Sequence, residues 1–450
     1  VLAADILDLL DSTLTNIAAP TIVASLGGGV PLLKWLGSSY TLAMGVLLVT
    51  GGRLGDKFGQ RRMFLTGQIG FTVSSAVVGL SVNPEMMVAA RLCQGAFGAL
   101  LIPQGMAIMT AVFPRDFLSK AFSAFGPALG VAMVAGPPLG GLIISANLFG
   151  LAWRPMFLVN IAIGVVATVA AVRFLPRIPG DPGVRVDLPG AAGLGGAMLG
   201  LMFGFIEGST DGWSLVPLAS VAAGLACFVA FAARQATSEQ PLLKPTLLRN
   251  RGFTAGLLLG LFYFAVAAGA LYVTSLFLQL GLGRRPSEAA VDLVPMTIGI
   301  IASSMLNAPL TPRLGRRLTF IGVLLTIAGA SVILATVAAG GLGASAWGLE
   351  SGLLVLGLGM GACFGTLFEA TLSAVTPEEA GSASGSLSAV QQLAGCVGSA
   401  AITTVYFGQL PSGGHPGALE ASLAAVIGVA LVCSVLVWRL PAKIRAGEPG

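Results

Sequence analysis

The sequence predicts an all-α polytopic membrane protein with fourteen spans, and three observations carry that prediction. Hydrophobic residues fill 55% of the 450 positions and charged residues only 10%, with a mean hydropathy of +0.90; a soluble domain carries about 25% charged residues. The apolar residues fall in runs of about 20, the length that crosses a hydrocarbon core as a helix. The basic residues are not scattered: Lys57, Arg61, Arg62, Arg115, Lys120, Arg173, Arg177, Arg234, Lys244, Arg249, Arg316, Arg317 and Lys443 occupy alternate gaps between those runs. Those gaps are expected to be cytoplasmic. The opposite gaps hold little beyond Lys34, Arg154, Arg284 and Arg285, which places both termini in the cytoplasm and the chain in the inner or plasma membrane. The net charge of +5 is then a topology signal, and nucleic acid is not an expected partner.

The runs place spans near 1–26, 33–55, 62–82, 86–113, 117–146, 155–175, 188–208 and 214–235, then 253–281, 288–312, 318–340, 347–375, 379–408 and 419–440. The even number returns the C-terminus to the side of the N-terminus. Val1 already stands in the first apolar run, so no cleavable signal sequence is expected. Cys93, Cys227, Cys363, Cys396 and Cys433 lie in apolar runs without metal-ligand spacing and read as packing residues.

Asp5, Asp8 and Asp11 stand inside the first span, in DILDLLDSTLTNIAAP. An ionised carboxylate near the bilayer centre costs roughly 2.5 to 3.5 kcal/mol on insertion scales, so such groups face a wet cavity, pair with a cation or hold a proton. At about 100° per residue the three share one broad helix face with Asp8 in the middle. Uptake and release of protons is the function they suggest. Glu369, in the inner half of the twelfth span, is the deep acid of the second half; Glu207 stands at an outer span end, where a solvated end explains it equally well, and Asp292, near the outer end of the tenth span, reads as either a helix N-terminal charge or a gate residue. Gln391 and Gln392 are suited to bond across helices or to substrate, and the lone His415 falls in an outer loop.

Four strings add specificity. Between the second and third spans, GRLGDKFGQRR supplies Gly52, Arg53, Gly55, Asp56, Gly59, Arg61 and Arg62: small residues for close backbone approach, and an acid able to cap a helix or pair with an arginine. The fourth span carries ARLCQGAFGAL, with Arg91 inside the span and Gln94 after it. GPPLGG brings Gly136, Pro137, Gly140 and Gly141 near the outer end of the fifth span, and WRPMFLVNIAIG opens the sixth.

These strings resemble the major facilitator superfamily. GRLGDKFGQRR resembles its loop signature GxLaDrxGrkxxl, and the Arg91 string its RxxQGxgxA element, in which the Arg is associated with coupling. GPPLGG is similar to the end of the antiporter motif, with Ala132 where an upstream Gly is expected. WRPMFLVNIAIG, and LLDSTLTNIAAPTI with Asp11, Asn16 and Pro20, resemble strings of the fourteen-span drug:proton antiporters. Asp5 and Asp8 lie outside that motif and rest on the helix-face argument. The resemblance implies two six-helix bundles, 1–178 and 251–440, with the two extra helices and a cytoplasmic linker in 179–250 and a tail at 441–450. PRLGRR at 312–317 resembles the basic end of the first-half loop.

The reading that follows is a proton-coupled exporter of lipophilic, cationic or amphipathic drugs or metabolites, working by alternating access as a monomer in the bilayer. Ionised Asp11, with Asp8 and Glu369, attracts substrate; Arg91 responds to the charge of the first-span acids; Asp56, Arg61 and Arg62 latch the cytoplasmic side. The proton motive force takes the place of any cofactor, and no GxxxxGK[ST] loop supports an ATP-driven pump. Two rivals stay open: a proton-coupled uptake symporter using the same acids, and a lipid translocator or non-transporting scaffold. No nucleophile, base and orienting group form an enzyme's constellation.

Overall fold

The computed structural model describes residues 2–113, 117, 140, 143–144, 146–147, 150–184, 187–238, 241–373, 375–376 and 379–441. The described residues form helices and no strand. In chain order the helices are α1 (Leu2–Leu26), α2 (Gly29–Phe58), α3 (Gln60–Gly79), α4 (Pro84–Val112), α5 (Arg154–Phe174), α6 (Leu188–Asp211) and α7 (Leu215–Thr237). They continue as α8 (Pro245–Arg249), α9 (Arg251–Leu276), α10 (Pro286–Asp292), α11 (Val294–Leu314), α12 (Arg316–Gly340), α13 (Ala346–Leu372) and α14 (Ala380–Leu436). The expected fifth span and most of GPPLGG, including Gly136, Pro137 and Gly141, lie outside the described residues; Gly140 is helical and buried.

Local chemistry sets the helix ends. Asn83 caps α4 by accepting from Met86 N at 2.8 Å, with Pro84 in the first turn where a missing N–H is harmless. Asn250 caps α9 through Gly252 N and Phe253 N at 3.0 and 3.1 Å. A single residue, Gly59, separates α2 from α3 at φ 96°, a conformation that a side chain would strain. Near the far end of the chain α14 breaks at Gly414 (φ 59°) between Pro411 and Pro416, where the Tyr406 hydroxyl meets His415 Nδ1 at 2.9 Å.

Eight helices among the described residues are long and apolar enough to cross a membrane, so the count of fourteen is not reached. The last two expected spans are present as helices on either side of the non-helical Gly414, within the stretch Ala380–Arg439. The first three helices carry the acids and bases discussed above, which lower their apolarity. The expected tenth span also divides, into α10 and α11.

Each half packs around its own interior. Leu7, Tyr40, Met44, Leu48, Phe71 and Ala99 form one N-terminal cluster, and Leu14, Ile22, Leu36, Met87, Trp153 and Phe157 another. The C-terminal half is built on Phe253, Tyr263, Phe264, Leu367, Phe368 and Leu387, with Met106 and Met109 of α4 reaching in. The α6–α7 hairpin lies against both halves: Trp35 of α2 stacks on Phe203 of α6 at 5.9 Å, and Trp213 Nε1 donates to Thr404 of α14 at 3.1 Å. Within the hairpin Gly200 and Gly224 touch backbone to backbone, the contact that small residues allow between membrane helices.

Candidate functional site

Asp11 is the centre of the only fully enclosed ion pair among the described residues. Its carboxylate is 0% exposed and pairs with the Arg91 guanidinium of α4, which is 1% exposed. Gln94 Nε2 donates to Asp11 Oδ1 at 3.0 Å and Asn160 Nδ2 of α5 at 2.6 Å. Arg91 also donates from Nη1 to Gln94 Oε1 at 2.7 Å and from Nε to the Leu36 carbonyl at 3.0 Å. Its guanidinium lies 4.7 Å from the centre of the Tyr40 ring, close enough for cation–π attraction. Gln94 Nε2 reaches Ser75 Oγ of α3 at 2.8 Å, so five helices meet here. Burying two charges is favourable only when hydrogen bonds support both; here Gln94 and Asn160 donate to the carboxylate, while Gln94 and the Leu36 carbonyl accept from the guanidinium.

The spacing explains the arrangement. Arg91 and Gln94 are three residues apart and share a face of α4; Asn160 opens the same depth of α5, one turn before Gly164, which lies against Thr72 of α3. At 1% exposure Arg91 is held inside this shell and does not reach out to the protein surface. Asp8 diverges from Asp11. Half-buried, it accepts a hydrogen bond from the Tyr40 hydroxyl of α2 while Asp11 faces α4 and α5. The side chains of Asp5 and Asn16, though on α1, lie outside the described residues. Glu369 is buried in α13 of the other half, next in sequence to Phe368, and Glu207 is half-buried near the end of α6; neither is among the partners of Asp11.

The Gly52–Arg62 motif forms a second centre, at one end of the molecule. A Cβ on Gly52 would stand 2.2 Å from the Gly381 carbonyl of α14, and one on Gly55 would stand 1.9 Å from Gln104 Oε1. Gly52 lets α2 cross α14 at backbone distance, and Gly55 leaves room for the Gln104 side chain of α4. Asp56 is buried and accepts from the Ser382 hydroxyl of α14, joining the two halves; Arg53 stands 3.9 Å from it and donates to the Pro241 carbonyl at 3.4 Å. Ser384 Oγ to the Pro103 carbonyl, at 3.0 Å, and Lys244 to Glu379, at 3.9 Å, add to the same seam. Arg61 and Arg62 lie on the other side of the turn. Arg61 donates to the Val172 carbonyl at the end of α5, and Arg62 is exposed. Near this end Asp187 is clamped by Arg234 at 2.7 to 3.0 Å, and those bonds hold its carboxyl below the usual carboxylate range.

Sequence reasoning singled out Asp11, Arg91 and Gln94, which the fold brings together. It missed Tyr40, Ser75, Asn160, Gln104 and Ser382. Asn160 had a signal, as the polar residue of WRPMFLVNIAIG in a span otherwise apolar; Ser382 lies in a small-residue stretch with no mark of its own. No cluster among the described residues has the His, Cys, Asp and Glu content to hold a metal ion.

Comparison with known proteins sets this geometry in context. The sequence pattern of the Major Facilitator Superfamily matches residues 1–399. A probable actinorhodin transporter of Streptomyces coelicolor is 40% identical over 417 residues, 92% of this chain and 72% of that protein. The tetracenomycin C resistance and export protein of Streptomyces glaucescens is 31% identical, over 87% of this chain and 72% of its own length. The human organic anion transporter MFSD10 shares the fold at a TM-score of 0.70 and 17% identity, covering 97% of both chains.

Proposed function

We propose that this chain, which belongs to the major facilitator superfamily and is a multi-pass membrane transporter rather than an enzyme, expels lipophilic antibiotics or related drugs in exchange for protons. The relatives support the export of antibiotics: beside the actinorhodin and tetracenomycin C proteins stands the puromycin resistance protein of Streptomyces alboniger, 30% identical over 98% of this chain. The observation that carries the coupling is the enclosed Asp11–Arg91 pair.

Its energetics suit a switch. With Asp11 ionised, Arg91, Gln94 and Asn160 fill its two oxygens. A proton on Asp11 leaves the Arg91 charge enclosed, with only Gln94 Oε1, the Leu36 carbonyl and the Tyr40 face to balance it. Removing one partner of a buried pair costs about 3 to 5 kcal/mol, and roughly 5.5 kcal/mol carries a two-state equilibrium from 1:99 to 99:1. Protonation of one carboxylate is therefore enough to favour a second packing of α1, α4 and α5. Arg91 fills the place a cationic substrate would take at Asp11, so the cargo acts on the pair indirectly, through the packing it prefers. The Gly52–Arg62 end is the cytoplasmic gate, closed here through Gly52, Gly381, Asp56 and Ser382, and the working unit is the monomer.

The test uses everted vesicles carrying a preformed proton gradient. Export predicts that added puromycin, tetracenomycin C or a lipophilic dye collapses the gradient. Asp11→Asn should abolish that collapse at an unchanged level of inserted protein, and wild-type behaviour of the variant would overturn the coupling.

A further inference from the structure

A cavity of about 590 Å³ opens between the start of α3 and the end of α5, away from the Asp11 centre and on the far side of Gly59 from the Asp56 seam. Arg61, Arg62 and Arg177 line it, together with the apolar Leu65, Val172 and Ile178. The described residues include no carboxylate in that lining. Arg61 Nε is buried and finds no acceptor among the described residues, an expensive condition for a charged donor. Three arginines in one lining suit an oxyanion with several acceptors, such as a phosphate group.

What distinguishes a lipid phosphate from a free one is the surface that leads into the opening. On α5, Val165, Val169 and Val172 repeat at helical spacing and are each more than half exposed; on α3, Leu65, Ile69 and Val73 do the same, the last two at least half exposed. The two helices run antiparallel and touch, Gly79 against Leu158, Gly164 against Thr72, Arg61 against Val172. Both stripes therefore converge on the cavity. Arginines at the head and two apolar rails behind it match a glycerophospholipid with a negatively charged headgroup, on the leaflet where basic residues gather.

We propose that this cavity binds the phosphate headgroup of an acidic phospholipid of the cytoplasmic leaflet, with an acyl chain lying in the groove between α3 and α5. The site rests on the reading of the Gly52–Arg62 end as cytoplasmic. Its occupant would steady the segment 175–181, which packs on the α2–α3 turn through Asp181 N to the Asp56 carbonyl at 2.9 Å and through Ile178 against Gly59. Acidic lipid would thus reinforce the turn that carries Asp56 without touching that carboxylate.

Native mass spectrometry of the detergent-solubilised full chain tests the site without any transport measurement, so failure here leaves the export reading standing. The probes are phosphatidylglycerol, phosphatidylcholine and inorganic phosphate, applied to the wild type, Arg177→Gln and Arg173→Gln. Arg173 is an exposed base of α5 outside the lining and controls for general surface attraction. Phosphatidylglycerol should remain bound where phosphatidylcholine is lost, and Arg177→Gln should weaken it about five-fold, the effect of one basic residue at an anionic membrane surface. Arg173→Gln should bind as the wild type. Equal weakening by both variants, equal retention of the two lipids, or displacement of phosphatidylglycerol by submillimolar inorganic phosphate would each overturn the proposal.

Discussion

The two halves of the molecule bury opposite chemistry. In the first, Asp11, Arg91, Gln94 and Asn160 form a charged network with no solvent contact. In the second, the interior holds the Phe264, Phe364 and Phe368 rings, with hydroxyl bonds such as Tyr263 to Thr326 at 3.2 Å and Thr319 to Thr366 at 3.0 Å. Neutral hydroxyl bonds contribute about 0.5 to 1.5 kcal/mol each, whereas unbalancing a buried ion pair costs about 3 to 5 kcal/mol. The first half therefore buries a charged network, and the second, apart from Glu369, a neutral one. The asymmetry separates a half with an ion pair in its interior from a half whose interior is largely apolar and aromatic.

The largest test of that division is the pair itself. Asp11→Asn and Arg91→Gln should each lower gradient-driven export about 100-fold or more, following from the cost of an unbalanced buried charge, whereas Glu369→Gln should retain at least about a tenth of wild-type flux under the same assay. Equal losses from Glu369→Gln would break the comparison. Next in size is the seam between the halves. Gly52→Val places carbon against the Gly381 carbonyl, and overpacking of this kind costs about 1 to 3 kcal/mol. Turnover should fall about ten-fold, and a cysteine introduced at position 384 should become open to a water-soluble maleimide in that background.

Smaller effects sharpen the contrast. Tyr40→Phe removes a hydroxyl donated to the Asp8 carboxylate, and Tyr263→Phe one shared among neutral partners. Denaturation in detergent should show the first as the more costly, about 1.5 to 3 against about 0.5 to 1.5 kcal/mol. The smallest effect belongs to Asp187 and Arg234. Because the folded-state pKa of Asp187 is held below its unfolded value, its contribution is complete above the unfolded pKa and disappears as pH falls through the folded one. The melting-temperature difference between wild type and Asp187→Asn should therefore be present at neutral pH and vanish in acid.

Much of this could be read from the residues in order. The fold class followed from apolar run lengths, and Asp11, Arg91 and Gln94 announced themselves as polar groups where a span permits few. Asp8 illustrates a limit: helical spacing put it on one broad face with Asp11, yet 60° of rotation is enough to turn one acid toward α2 and the other toward α4 and α5. Partners 149 and 326 residues away, Asn160 for Asp11 and Ser382 for Asp56, depend on helix order in space, which spacing along the chain does not encode. The break at Gly414 that divides the last two spans is a property of backbone dihedrals, invisible to hydropathy.

Gly52 and Gly381 meet with nothing but main chain between them. Flexible side chains could yield gradually as two surfaces drew apart; bare peptide planes have no such slack. Parting should be abrupt, each helix tilting as a stiff rod, and the junction should leak little before it releases. The same intimacy makes it a place where a short covalent tether, installed by chemistry at that crossing, would arrest the machine in one pose.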